Sequence, residues 1–249
     1  SWTEQIGFPA FKVTIDPYDG DGTEIEIEQS WFLTDGSKEP GDVDITWIVP
    51  VIFGTDKVAM PIVFLEPAPR KRKIKIGCNT KDAPWLKLNF GQHFPVRVLY
   101  TPSTIARITS SLKSLPAEDR IGLLSDVLAL REAGLRDPAV LVTLLDGFQG
   151  EVNDKVWSML ANVLGGLGKI ISQGMDEVTY SAFLDFGSRL VWPALKLVDW
   201  DAAPGEVGSN KSALVDAVAI RDKEASEPHS AETCSNLDGV SGELRDLHL

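Results

Sequence analysis

Two kinds of hydrophobic pattern divide the chain near residue 102. Before that point apolar positions recur every second residue. Lys12-Val13-Thr14-Ile15-Asp16 alternates, and Glu24-Ile25-Glu26-Ile27-Glu28 alternates again with its acidic side chains outward, the mark of strands with one buried face. Asp19-Gly20-Asp21-Gly22 and Asp35-Gly36-Ser37 supply turns, because Gly reaches positive φ and Asp binds its own backbone. An apolar, aromatic run from Ile45 to Phe53 is interrupted by Pro50, which cannot donate to a ladder and so points to an edge or a bulge. Val58 to Leu65, Arg72 to Ile76, Trp85 to Phe90 and Val96 to Tyr100 bring the total to about eight strands. Short strands at this spacing predict a β-sandwich of fibronectin or immunoglobulin size.

After Pro102 the period becomes helical. Ser103 is placed to cap a helix over 104–113, and Pro116 opens a second over 117–133, where Ile121, Leu124, Leu128 and Arg131 form a stripe widened by Leu123, Val127 and Leu130. Gly134 ends it. Asp137-Pro138 starts a third helix with Val140, Leu141, Leu144, Leu145 and Phe148 inward, and Asn153 caps a fourth that carries Val156, Trp157, Leu160, Val163, Leu164, Leu167 and Ile171. A fifth spans about 176–198, with Pro193 expected to kink or split it. Short links between such helices predict antiparallel hairpins stacked as a solenoid. From about 202 the pattern weakens: Ala213 to Ile220 suits one short helix, and beyond it the chain is too poor in large apolar residues to offset its ordering entropy, so this tail is expected to be disordered.

The fold class expected is therefore multidomain, β then α: a fibronectin-like β-sandwich followed by a truncated α-helical solenoid of HEAT- or armadillo-like hairpins. The divisions expected are 1–10 as a linker, 11–101 as the sandwich, 102–200 as a partial helical domain and 201–249 as a weakly structured acidic tail.

Composition narrows the function classes. The 249 residues carry 24 Lys plus Arg against 36 Asp plus Glu, a formal charge of −12, which argues against binding a nucleic-acid backbone. At 43% hydrophobic residues the chain can bury a sizeable core. Cys78 and Cys234 are too few for a disulfide framework or a multi-Cys zinc site. No apolar run reaches the ~20 residues of a membrane span, no signal segment opens the chain, and a cytoplasmic location is expected.

The candidate chemistry is sparse. His93, His229 and His248 are scattered and make no H-E-x-x-H pair, so ordinary surface histidines are the better reading. Cys78 has no His or Asn context that marks a nucleophile. Gly165-Gly166-Leu167-Gly168-Lys169 resembles a phosphate loop but has Val163 at its first Gly position and Ile170 after the Lys, which favours close helix packing instead. Arg70-Lys71-Arg72-Lys73 is open to a nuclear signal or an anion site, although a solvated hairpin or a guarded strand edge is the commoner use of such a run. Asn210-Lys211-Ser212 is a formal glycosylation sequon, best explained by chance.

Trp2-Thr3-Glu4-Gln5-Ile6-Gly7-Phe8-Pro9 resembles the W-T-x-Q-x-G-[FY]-P segment of the gluzincin zinc aminopeptidases, of the puromycin-sensitive and aminopeptidase N type. Further stretches agree in order: Gln29-Ser30-Trp31-Phe32-Leu33, Trp47-Ile48-Val49-Pro50-Val51, Trp85-Leu86-Lys87-Leu88-Asn89 with Gly91-Gln92, and Asp119-Arg120-Ile121-Gly122-Leu123 with Asp126, Ala129 and Leu130. Val156-Trp157, Asp199-Trp200-Asp201 and Pro204-Gly205-Glu206 fit later landmarks, so the likeness covers about 1–206. In that family these segments follow the zinc catalytic domain. The resemblance implies a post-catalytic β-sandwich and the opening helices of the last domain, with zinc, its ligands and the general-base Glu held by a catalytic domain that would precede Ser1.

Two departures stand out. The G-F-Y-R-V core of the family reads Phe94-Pro95-Val96-Arg97-Val98 here, so the strand is expected to begin after Pro95 or to lie at an edge. After Pro204-Gly205-Glu206 the helical pattern fades. The resemblance therefore implies a non-catalytic portion of an aminopeptidase that shapes the peptide chamber, partnered by the catalytic domain. The alternative is a stand-alone interaction module that binds a protein through its exposed helical face. Arg97, Arg120 and Asp126 are the candidate interdomain or chamber-lining residues; no catalytic or metal-ligating residue is assigned in this chain.

Overall fold

A computed structural model describes residues 7–16, 22–37, 46–76 and 83–196. Cys78, the sequon, the segment Ala213 to Ile220, the tail, and His229 and His248 lie outside the described residues.

The strands come first: β1 (Phe8–Asp16), β2 (Thr23–Phe32), β3 (Val49–Val51), β4 (Phe53–Thr55), β5 (Val63–Leu65), β6 (Lys71–Ile76), β7 (Leu86–Leu88) and β8 (Arg97–Tyr100). They form a four-stranded sheet in the order β6-β2-β1-β8 and two two-stranded ladders, β3-β5 and β4-β7. β1 runs antiparallel to β2, with Val13 opposite Ile27 and Ile15 opposite Ile25, and parallel to β8, with Ala10 opposite Arg97. The alternation read from the sequence thus places Ile25 and Ile27 inside. Pro50 pairs with Phe64 in the β3-β5 ladder, where among the described residues β3 has a single strand partner, so a missing donor on its other side breaks no ladder. β8 begins two residues after Pro95 and forms an edge of the large sheet.

The helices follow: α1 (Pro102–Ser110), a 3-10 turn (Leu112–Ser114), α2 (Ala117–Glu132), α3 (Pro138–Asp146), α4 (Asp154–Gly174) and α5 (Glu177–Leu195). Thr101, not Ser103, caps α1 by accepting from the Thr104 amide at 3.2 Å. Pro102 lacks an N–H and takes the first helical position, so the cap moves to the residue before it. Asp137, Asn153 and Asp176 cap α3, α4 and α5 through the amides of Ala139, Lys155 and Thr179. After α2 the chain turns in a Schellman pattern, with Leu135 N–H donating to Leu130 C=O at 2.8 Å and Gly134 N–H to Arg131 C=O at 3.0 Å. Pro193 does not split α5, because it sits in the last turn, two residues before the end at Leu195.

α2 differs from its expected stripe. Leu123, Leu124, Val127 and Leu130 are buried together with Asp119, Gly122 and Asp126, whereas Ile121, Leu128 and Arg131 are only partly covered. The buried face carries two charges, so hydrophobicity alone placed its centre one residue too far round.

One buried cluster runs from Phe11, Val13, Ile25 and Ile27 of the large sheet through Val49, Phe53, Leu65 and Leu88 of the ladders to Ile105, Leu124, Leu144, Trp157 and Leu190 of the helices. A second joins Ala10 and Phe32 to Leu130 and Ala133. The pattern change at Pro102 is a change of secondary structure; the core crosses it.

The basic run at 70–73 meets the acidic strand beside it. Lys71 reaches Glu26 at 2.8 Å and Lys73 reaches Glu24 at 2.5 Å, all near the surface, along what is among the described residues an edge of the sheet. Gly165 to Lys169 lies in mid-α4, where Gly168 is buried.

Candidate functional site at the joint between strands and helices

The polar chemistry of the described residues concentrates where β7, β8 and the turn between them meet α2. The turn Asn89-Phe90-Gly91-Gln92 follows β7, with Asn89, Gly91 and Gln92 all in the left-handed region at φ 54°, 77° and 55°. Gly91 carries that conformation without strain. The turn delivers its Gly91 N–H to the Asp119 carboxylate, at 3.0 Å from Oδ1 and 3.1 Å from Oδ2. It also seats Gln92 against Gly122 so closely that a Cβ there would lie 2.1 Å from the Gln92 amide carbon. This explains physically why a W-L-K-L-N-x-G-Q stretch and a D-R-x-G-L stretch occur together: the turn of one docks on the helix face of the other.

Lys87 makes the second contact with Asp119. Its ammonium lies 2.8 Å from Asp119 Oδ1, with the Lys87 side chain 2% and the Asp119 side chain 0% exposed. The carbonyls of Leu88 and Asn89, each at 3.4 Å, take its remaining protons. A charge pair so deeply buried is tolerable only when it is matched and hydrogen-bonded on both sides, and here it is.

One strand further on, Arg97 of β8 donates from Nη1 to Ser125 Oγ at 2.9 Å and Asp126 Oδ1 at 3.1 Å, while the Val98 N–H donates to Asp126 Oδ2 at 3.2 Å. The Arg97 guanidinium also stands 5.5 Å from the centre of the Phe8 ring. Burial pushes the Asp126 carboxyl up to about 6, against the pull of Lys87, Arg97 and the Val98 amide. Tyr100 sits behind both pairs. Its hydroxyl accepts from Leu88 N–H at 2.7 Å, and burial raises its pKa. Trp85 Nε1 donates to Ser114 Oγ at 2.7 Å, Arg107 donates to the Ala83 carbonyl, and Arg136 Nη2 donates to the Tyr100 carbonyl at 2.5 Å, so β7, β8 and their flanks are tied to the helices at five or more points.

The structure brings Arg97 and Asp126 together and leaves Arg120 elsewhere. Asp119 and Asp126 lie two turns apart on one face of α2, and Arg120 is turned by about 100° from that face. It pairs instead with Glu151, Nη2 donating to Oε1 at 3.0 Å and Nε lying 2.8 Å from Oε2 in an ion-pair contact, and Nη1 donates to the Leu115 carbonyl at 2.5 Å. Glu151 in turn accepts from the amides of Val152 at 2.9 Å and Asn153 at 2.8 Å, which fastens the start of α4. The residues that sequence reasoning did not single out are Lys87, Asp119, Glu151, Tyr100 and Arg136. A signal existed for the first two: a lysine between Leu86 and Leu88, and an aspartate seven residues before Asp126.

Every carboxylate here is already held by a cation or by backbone amides. Among the described residues no three His, Cys, Asp or Glu side chains are grouped to hold a metal ion. Asp119 and Asp126 face Lys87 and Arg97, cations that exclude a metal, so the site does not fit zinc, and no step of zinc chemistry follows from it. What the arrangement does is orient two strands from different sheets, β7 and β8, against a helix. No described helix is long and apolar enough to cross a membrane.

The model of the ERAP1-like C-terminal domain matches residues 85–241, from the start of the joint onward. The chain belongs to that family. Aminopeptidase M1 of Arabidopsis thaliana is 30% identical over 221 residues, covering 83% of this chain and 24% of the relative. Aminopeptidase M1-B of Oryza sativa subsp. japonica is 27% identical over 223 residues, covering 83% and 23%. Aminopeptidase 2 of Candida albicans is 27% identical over 255 residues, covering 99% and 26%. The chain thus corresponds to a C-terminal region of the zinc aminopeptidase family and spans about a quarter of the length of these relatives.

Proposed function

We propose that this ERAP1-like C-terminal domain serves as the non-catalytic portion of a zinc-dependent aminopeptidase, shaping the chamber in which peptides lose their N-terminal residues and holding the domains in register. The observation that carries this reading is the match over 85–241 in a chain whose buried charged side chains, among the described residues, are all committed to partners within the fold. The relatives' names, all aminopeptidases, support it. On this reading zinc and the peptide-cleaving groups belong to a catalytic domain, which is the chain's partner, and the enzyme works in the cytoplasm. The β portion acts as a fibronectin-like sandwich and the helices open a HEAT- or armadillo-like solenoid. Of Arg97, Arg120 and Asp126, Arg97 has the most exposed side chain, 23% against 13% and 6%, and on this reading it is the one that reaches the chamber or the neighbouring domain.

Two measurements test this. The full chain is supplied with zinc and with aminoacyl and peptide substrates, and no release above a heat-treated control is expected; turnover would refute a non-catalytic role. The chain is then added to a separately expressed aminopeptidase catalytic region. The ratio of long-peptide to single-residue cleavage is expected to change; an unchanged ratio would count against the chamber role.

A further inference from the structure

The two carboxylates of the joint are unequally matched. Asp119 is 0% exposed and receives Lys87 at 2.8 Å and two contacts from the Gly91 amide. Asp126 is almost as deeply buried, at 4%, yet among the described residues its contact with a cation within ion-pair distance is one Arg97 nitrogen at 3.1 Å. That nitrogen is shared with Ser125, Arg97 Nε has no hydrogen-bond partner, and the Arg97 side chain is 23% exposed. A cation open to water is screened, whereas the carboxylate facing it has lost nearly all its own water, so the cost of burying the negative charge outweighs the attraction. Among the described residues the charged or titratable groups around Asp126 are Lys87 on β7, Arg97 and Tyr100 on β8, and Asp119 on its own helix.

We propose that Asp126 takes up a proton as the pH falls below neutral, and that this tightens the joint between β8 and α2. The sign is opposite to that of an ordinary ion pair. When the joint opens, Asp126 returns to water and to a normal carboxylate affinity for protons, so the closed joint binds the proton more strongly and is favoured by acid. The raised carboxyl, at about 6, accords with this geometry. The contribution is fully present below the ordinary carboxylate range and is lost as pH rises through the folded value. The protonated carboxyl keeps the acceptor that Val98 N–H needs and frees Arg97 toward solvent.

The experiment uses the full 249-residue chain and follows urea unfolding at pH 7.5 and 5.0 for the wild type and Asp126→Asn. Between these pH values the folding constant of the wild type is expected to rise about tenfold relative to that of the variant, which mimics the protonated form. Equal pH dependence in the two proteins, or a wild type weakened by acid relative to the variant, would overturn the proposal. A carboxyl-carbon NMR titration of Asp126 in the wild type needs no variant: a midpoint near 6 supports it, and a midpoint in the ordinary carboxylate range of about 4 refutes it.

Discussion

Ion pairs occur in two very different settings in this molecule. Along the β2–β6 edge, Glu24 and Glu26 face Lys73 and Lys71, with the lysine side chains 59% and 58% exposed. At the joint, Lys87 and Asp119 meet with 2% and 0% exposure. By distance one edge pair is shorter, 2.5 Å for Lys73–Glu24, and the other, Lys71–Glu26, equals Lys87–Asp119 at 2.8 Å, yet distance is the wrong measure. Exposed pairs keep their hydration whether or not they touch, so breaking one changes little. Breaking a buried pair strands a charge without water or partner. The edge pairs serve to keep a free strand edge charged and unattractive to other chains, while the joint pairs decide whether the helices dock in one orientation.

Removing Asp119 puts that contrast to its severest test. Asp119→Ala leaves the Lys87 ammonium and the Gly91 N–H unmatched, and a loss of about 3–5 kcal/mol in urea unfolding is expected; a loss no larger than that of an edge variant would collapse the distinction. Tyr100→Phe comes next. It deletes the buried hydroxyl that Leu88 N–H donates to, and about 1–3 kcal/mol should disappear from the same measurement. Asn153→Ala, away from both settings, removes the cap that accepts from the Lys155 and Val156 amides, and a cost of about 1 kcal/mol calibrates an ordinary local hydrogen bond. The smallest effect is expected from Lys71→Ser with Lys73→Ser, whose urea midpoint should stay within the scatter of the wild type. The two settings should also answer acid with opposite signs. Glu24 is lowered chiefly by its hydrogen bond to Lys73, so its contribution is present above the ordinary glutamate range and lost as pH falls through its folded value; Asp126 is raised, and its contribution grows as pH falls. If the double variant of the edge lysines removed the acid response expected near pH 6, that response would belong to the edge and not to Asp126.

Local chemistry was legible from the residues. Helix starts at Asp137, Asn153 and Asp176 follow from a polar cap before an apolar period, and the stop at Gly134 from the Schellman turn. The inward faces of β1 and β2 follow from alternation, and the free edge of β3 from Pro50. Each of these depends on residues within one or two turns of each other. The cap at Thr101 was misplaced by two residues because Pro102 shifts the first helical position, a purely local effect that the capping preference of Ser103 obscured.

The family likeness and the β-then-α order were also carried by the sequence, because ordered motifs and periods survive without any knowledge of contacts. Which charges would meet was not. Arg97 reaches Asp126 across 29 positions of sequence and Arg120 reaches Glu151 across 31, and three polar residues in family-like motifs give no hint that one of them turns away. The sequence by itself determined the order of the elements, the starts of α3, α4 and α5, and the presence of Lys87, Asp119 and Asp126 within the motifs. Only the tertiary structure decided that these belong to one buried joint and that their carboxylates are unequally matched, because burial and pairing arise from the docking of β7 and β8 on α2, and the energy of a charge depends on the water it has lost rather than on the residues next to it in the chain.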